Sequence, residues 1–295
     1  MHQPTNHTTT CRPVGMISID VEEWFHILDS PAAPSIGTWD SLESRVEQSL
    51  DKILATLDAN GVRATFFWLG WVAERHPSLV KRCHQEGHEI ASHGYAHVLA
   101  NQVGQERFAQ DIRHGKAILE DMIGQAVKGF RAAGFSITYD TPWAFTEISK
   151  AGFRYDSSIF PAPHGHGGVL KSPLFPFLIE TESGNICELP ISVINILGKR
   201  TSMFGGGYLR LFPIRFIRWG IEKLKDAGHP LIIYLHPREV DLAHPRLPLS
   251  WHRRFKSYVN LKSTMPKLRW LCQNYSFCPM HAFSENFFSL NSSIL

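Results

Sequence analysis

Two histidines four residues apart, His93 and His97, follow the strand-compatible stretch Glu89-Ile90-Ala91-Ser92. On one turn of helix, positions i and i+4 share a face with Cβ atoms roughly 5–6 Å apart, so two imidazoles can grip one divalent ion. The chain has 16 histidines, so this pair gains meaning only from its company. Asp20 and Glu22 end another strand-like run, residues 15–22, and alternate with Val21, which turns both carboxylates to one side. Two such charges repel unless a cation or a proton lies between them. Arg131 closes the run 127–131, Asp156 closes the run 153–156, and His236 follows the apolar run 230–235.

In parallel α/β folds, sites collect at the C-terminal ends of the strands, and each of these groups falls at or just after a predicted strand end. The pattern suggests a metal held by His93, His97 and one carboxylate, with positions left for water. Such an ion lowers the pKa of water towards about 7 and polarises a carbonyl. The second carboxylate can then serve as base, paired with Arg131, while His236 protonates a leaving amine from the opposite side. That set makes a hydrolase for amides or esters.

The elements that must position these groups are legible from periodicity. Residues 39–60 read as an amphipathic helix with Leu42, Val46, Leu50, Ile53, Leu54 and Leu57 on one face, closed by Asn60-Gly61. Residues 62–69 read as a buried strand, 71–75 and 77–86 as helices with Pro77 in the first turn, and 88–92 as a strand. A helix over 105–123, a strand over 127–131, a helix over 142–151 and a strand over 153–156 follow. Residues 157–185, rich in Pro and Gly, read as a long loop over the site. Strands over 186–193 and 230–235 flank a helix over 214–227, and 250–272 reads as a basic helical tail. This alternation predicts a parallel α/β sheet or barrel.

Whole-chain numbers bound the rest. Hydrophobic content of 43% and charged content of 19% over 295 residues suit a globular protein with a large core. A net charge of +3 without a long basic block gives no case for nucleic acid or a polybasic membrane patch. Residues 1–13 read as a disordered lead without an apolar signal-like core, and no run of about 18 apolar residues exists. The five scattered cysteines suit a reducing compartment. Those features predict a cytoplasmic protein without an integral membrane segment.

The motifs resemble those of polysaccharide deacetylases of the NodB-homology type, carbohydrate esterase family 4. Ser18-Ile19-Asp20-Val21-Glu22 is similar to the family's paired acids, His93-Gly94-Tyr95-Ala96-His97 to its His-(Ser/Thr)-Xaa-Xaa-His, and Arg131-Ala132-Ala133-Gly134 to its Arg-Xaa-Pro. Leu235-His236 is similar to its final motif. Asp-Val-Glu, Tyr155-Asp156-Ser157-Ser158 and His236-Pro237 further resemble deacetylases encoded with exopolysaccharide-assembly systems, which also have a basic helical extension.

By that resemblance Asp20 is the base and Glu22 a metal ligand with His93 and His97, although the two acids could exchange roles. His236 is the acid, Arg131 orients the base, Asp156 orients His236, and the backbone N–H of Gly134 stabilises the oxyanion. Tyr95, Phe135 and Arg238 would line the substrate site. Gly94 and Ala133 depart from the motifs, and Arg238 stands where relatives often have Trp. The resemblance implies a distorted, incomplete (β/α) barrel of about seven parallel strands over 14–245, with a helical extension over 246–295 packed on it.

It further implies one divalent ion, Zn²⁺ foremost with Co²⁺, Ni²⁺ or Fe²⁺ as alternatives, and hydrolysis of the N-acetyl group of an amino sugar in a glycan or its precursor. Two other readings stand beside this: a hydrolase of cyclic or small amides on the same barrel, and a non-catalytic glycan-binding module.

Overall fold

A computed structural model of the protein describes residues 15–28 and 30–291; the 1–13 lead lies outside the described residues. Among the described residues, ten strands form two sheets. The main sheet takes β1 (Gly15–Val21), β2 (Thr65–Trp68), β3 (Glu89–Ser92), β4 (Gly129–Phe130), β5 (Tyr155–Asp156), β6 (Phe177–Ile179), β7 (Ile186–Glu188) and β10 (Leu231–Leu235). A hairpin of β8 (Val193–Ile196) and β9 (Lys199–Ser202) forms the second.

The main sheet runs β10-β1-β2-β3-β4-β5-β7-β6. Its first seven strands are parallel, and β6 alone pairs antiparallel, along the edge of β7. The sheet curls into a half-barrel, the form expected of an incomplete (β/α) barrel with about seven parallel strands.

Parallel neighbours need crossovers, and helices supply them. These are α1 (Val46–Asp58), α2 (Gly70–Arg75), α3 (Pro77–Gln85), α4 (Ala100–Val103), α5 (Gln105–Ile123), α6 (Trp143–Lys150), α7 (Gly206–Leu211) and α8 (Ile214–Asp226). Three more, α9 (Trp251–Tyr258), α10 (Thr264–Asn274) and α11 (Met280–Asn291), follow β10. With helices covering the sheet, its strands read as unbroken buried runs: all seven residues of β1 and all five of β10 are buried. The apolar stripe of α1, Val46, Leu50, Ile53, Leu54 and Leu57, lies in the same core as Ile17, Ile19 and Val21 of β1.

Several elements differ from expectation, each for a local reason. The helix predicted over 39–60 starts at Val46, because the carboxylate of Glu23 accepts the N–H groups of Arg45 and Val46 and fixes the first turn there. Residues 36–41 form a separate 3₁₀ turn around the buried Trp39. The single strand expected over 186–193 is two elements, β7 in the main sheet and β8 in the hairpin, with Pro190 between them. The loop over 157–185 contains the edge strand β6.

The tail holds a further helix, α11. Its first turn docks under the sheet, where Met280 N–H donates to Thr65 Oγ1 at 2.8 Å and His281 N–H to Glu89 Oε2 at 3.0 Å.

Candidate active site

Glu22 sits one residue beyond β1, His93 one beyond β3, Arg131 one beyond β4 and His236 one beyond β10, so four parallel strands within the run β10-β1-β2-β3-β4 deliver four groups to one end of the sheet. Asp20, in the last turn of the β1 pleat, faces the same way. His236 Nε2 stands 3.9 Å from Asp20 Oδ2 and 3.8 Å from Glu22 Oε1.

Glu22 Oε1 lies 3.3 Å from His93 Nε2 and 2.9 Å from His97 Nε2, and the three side chains are buried. The donor set fits a metal ion: Glu22, His93 and His97 each offer one ligand atom, all within 4.8 Å of one another. His93 Nδ1 stands 2.7 Å from the carbonyl of Arg131. That carbonyl can only accept, so the imidazole proton lies on Nδ1 and the Nε2 lone pair faces the Glu22 oxygen. Two acceptors held face to face in a buried site call for a cation between them.

The two histidines reach this position from a loop and not, as the spacing suggested, from one helical turn. Residues 93–99 are irregular, and His97 has φ +54°. The loop is built by Asp111 of α5, whose carboxylate accepts the N–H groups of Tyr95 and Ala96 at 2.8 and 2.9 Å. Gly94 turns with φ +78°, and a Cβ there would lie 2.4 Å from Asp111 Oδ2. The departure from the family's hydroxyl residue is thus a steric requirement of this loop. Gly94→Ser is expected to lower the unfolding free energy by about 1–3 kcal/mol and to weaken metal retention, checked by chemical denaturation and metal analysis.

Arg131 is fully buried, and its donors are shared among Asp20, Ser18 and Ser157. Nη1 bonds Asp20 Oδ1 at 2.6 Å and Ser18 Oγ at 2.8 Å, Nε bonds Ser157 O at 3.1 Å, and Nη2 bonds Ser157 Oγ at 3.0 Å. Its guanidinium lies 4.2 Å from the centre of the Phe67 ring. The pair holds Asp20 in one rotamer with Oδ2 turned to His236.

Asp156, the carboxylate expected to orient His236, does something else. Its Oδ1 accepts from Ser158 Oγ at 2.7 Å and its Oδ2 from Ser158 N–H at 3.0 Å, and it sits opposite Glu188 in the β5–β7 register. Burial raises both carboxyls, that of Glu188 furthest, with the Asp156 charge adding to it. Glu188 Oε1 accepts the N–H of Ile159 at 3.0 Å, and its buried Oε2 has no hydrogen-bond partner among the described residues.

The partner of His236 is Glu239, whose Oε1 lies 2.6 Å from Nδ1 while its Oε2 pairs with Arg210 Nε at 3.1 Å. Burial pushes the His236 pKa down, but the Glu22 and Glu239 carboxylates outweigh it and raise the value above that of a free histidine. A proton donor works only while protonated, so its contribution falls as pH rises through that raised pKa. Glu239→Gln removes one raising partner. The alkaline limb of the kcat/KM–pH profile should move to lower pH, whereas Asp156→Asn should leave that limb in place.

The remaining expected residues divide. Gly134 has φ +59°, and a Cβ there would crowd Leu28, Leu99 and His166, so its backbone face is open only to a glycine. Phe135 is buried against Phe160, His164 and Tyr234. Arg238 is half-buried and lines a cleft with Glu22, Glu23 and Asp241. The Tyr95 ring leaves the site: its hydroxyl bonds Glu74 at 2.9 Å and its ring packs on His114.

Sequence reasoning missed Ser18, Ser157, Glu239 and Arg210, and also His26. The His26 ring lies 5.8 Å from that of His97 amid Trp39 and Trp71, and burial pushes its pKa well down. An acid three residues after a strand-end histidine, across a Pro-started turn, was the available signal for Glu239.

Comparison with known proteins agrees with this geometry. Residues 32–155 match the family model described as polysaccharide deacetylase, and 157–285 match a domain of unknown function, DUF3473. The first stretch, residues 32–155, is similar to polysaccharide deacetylases. A peptidoglycan-N-acetylglucosamine deacetylase of Bacillus cereus is 40% identical over 80 residues, covering 27% of this chain and 29% of that protein. The peptidoglycan-N-acetylglucosamine deacetylase PgdA of Listeria monocytogenes is 41% identical over 69 residues, 23% of this chain and 15% of that one. The chain therefore spans less than a third of either relative.

Among solved structures, a chain from Mycobacterium smegmatis assigned as a polysaccharide deacetylase superposes with TM-score 0.64 at 18% identity, covering 95% of this chain and 93% of that one. A probable polysaccharide deacetylase from Pseudomonas aeruginosa PAO1 gives 0.58 at 16% identity, covering 92% and 91%. These show the fold. The deacetylase match holds His93, His97 and Arg131, whereas Asp20 and Glu22 precede it and His236 and Glu239 follow in the second segment. Since β7 and β10 also lie in that second segment, both matched stretches build one sheet.

Proposed function

We propose that this protein hydrolyses the N-acetyl group of an amino sugar in a glycan or glycan precursor, releasing acetate, with one divalent ion, zinc foremost, held by Glu22, His93 and His97. The observation that carries the reading is the meeting of that ligand set with two separately tethered groups, Asp20 on Arg131 and His236 on Glu239. The match of 157–285 to a domain typical of exopolysaccharide-associated deacetylases supports a glycan destined for export. The four described cysteines are unpaired, which suits work in a reducing compartment.

A divalent ion at this site supplies a Lewis acid for the amide carbonyl and lowers the pKa of water. Asp20 Oδ2, free of the Arg131 contact, takes the proton from the attacking water. Arg131 fixes the orientation of Asp20 through the bond to Oδ1, so the base is poised without reorganisation. The Gly134 backbone N–H, on a turn that no Cβ obstructs, donates to the oxygen on which charge develops. His236 Nε2 gives its proton to the departing amine, while Glu239 accepts from Nδ1 and sets the tautomer.

The test is acetate release by metal-loaded protein from N-acetylglucosamine oligomers and nucleotide-linked N-acetyl sugars. Release from any of them supports the reading. Ring opening of cyclic imides with no acetate would assign the site to small amides. Glycan binding without turnover would leave a binding module.

A further inference from the structure

The small net charge of +3, which gave no case for a polybasic membrane patch, hides an uneven spread. Residues 189–284 hold fifteen of its 30 Lys and Arg but only four of its 27 Asp and Glu, and none of those acids lies between Leu242 and Ser284. The same stretch exposes large apolar side chains. Phe216 is 54% exposed, Trp219 41%, Trp251 72% and Phe255 53%. Rings bared to this extent within a cationic surface are not accounted for by the reaction at the sheet end.

Helix geometry sorts these residues onto outward faces. The inner face of α8 is Ile217, Gly220, Ile221 and Leu224, with Gly220 seated against Met203 and Phe204. Its outer face carries Arg215, Phe216, Arg218, Trp219 and Lys223, all exposed. Glu222 is also outward and pairs with Lys225 at 3.3 Å. On α9, Trp251 and Phe255 stand one turn apart beside the exposed Arg254 and Lys256, and only Tyr258 is buried.

Two buried cations tie α7 to α9 and to α10. Arg210 of α7 donates to the carbonyls of Lys256, Ser257 and Val259, and Lys267 of α10 donates to those of Leu209, Arg210 and Phe212.

We propose that α8 and α9 seat this protein peripherally on an anionic phospholipid bilayer, the rings entering the headgroup–acyl boundary and the cations meeting lipid phosphates. Interleaved aromatic and basic side chains on a helix face are what such a surface selects. A purely polar polyanion would use the cations but leave the rings in water. A second copy would set cationic face against cationic face, which repels. No helix of the described residues is long and apolar enough to cross a membrane, so the contact is superficial. The proposal does not depend on the reaction assigned above.

Sedimentation with sucrose-loaded vesicles tests it. The full chain should pellet with mixed phosphatidylcholine–phosphatidylglycerol vesicles and stay in solution with phosphatidylcholine alone, with binding weakened by added salt. Phe216→Ser/Trp219→Ser should lower partitioning about tenfold or more, at unchanged near-ultraviolet circular dichroism. Arg215→Glu/Arg218→Glu should do likewise and flatten the salt dependence. Wild type that ignores anionic vesicles, or aromatic variants that pellet as wild type does, would overturn the proposal. So would a dimer in sedimentation velocity that the same aromatic substitutions disperse, since the face would then belong to a second copy.

Discussion

Asp20→Asn is expected to lower kcat for acetate release by about 10²–10⁴-fold, the range by which a positioned general base accelerates proton transfer. In transition-state terms this is about 3–5 kcal/mol. The substitution keeps the shape of the side chain, and its amide oxygen can still accept from Arg131 Nη1, now 2.6 Å from Oδ1. It deletes only the proton-accepting function of the other oxygen, which faces His236 Nε2 from 3.9 Å. Metal content should stay near wild type, because the ligand set is Glu22, His93 and His97.

Some stability should also be lost, since a fully buried guanidinium then faces a neutral amide. The readout is therefore kcat at saturating substrate on protein whose metal content has been measured in the same sample. If Asp20→Asn lost its metal and Glu22→Gln kept it, the two acids would exchange roles.

His93→Ala is expected to abolish both metal binding and turnover, with activity down about 10³-fold or more, because the several kcal/mol an ion supplies to the transition state goes with it. The His93 side chain is tied twice, through Nδ1 to the Arg131 carbonyl at 2.7 Å and through Nε2 towards Glu22 at 3.3 Å. Removing the ring therefore leaves a buried carboxylate with one imidazole instead of two. Metal analysis after exhaustive dialysis against buffer, beside an acetate assay, checks both halves. Retention of a full equivalent of metal with loss of activity would contradict the ligand assignment.

How much of this was legible in the sequence follows from the range of the interactions involved. The strand ends carrying Asp20, Glu22, His93, Arg131 and His236 were marked by short apolar runs that stop at a polar residue, a local signal that a fully buried parallel strand makes plain. The helix over 105–123 was found to the residue, since its apolar stripe ends at Gly124 in the left-handed region with φ +66°.

What failed was set by contacts distant in sequence. The loop at His93–His97 depends on Asp111, the first turn of α1 on Glu23, and the split of β7 from β8 on the return of the chain to the hairpin. Asp156 ends a strand with a carboxylate and so suited the task of orienting His236, yet both of its oxygens are taken by Ser158. Glu239 escaped although it is only three residues from His236, because nothing but the 3₁₀ turn over Pro237–Glu239 shows that the two side chains meet.

The meeting of one carboxylate and two imidazoles on a shared ion underlies every other statement about this site. Anomalous scattering measured at the zinc edge from crystals of the zinc-loaded protein tests it most directly. One peak per chain is expected, within bonding distance of Glu22 Oε1, His93 Nε2 and His97 Nε2. A peak bound elsewhere, or an empty site in zinc-saturated protein that still releases acetate, would contradict the account.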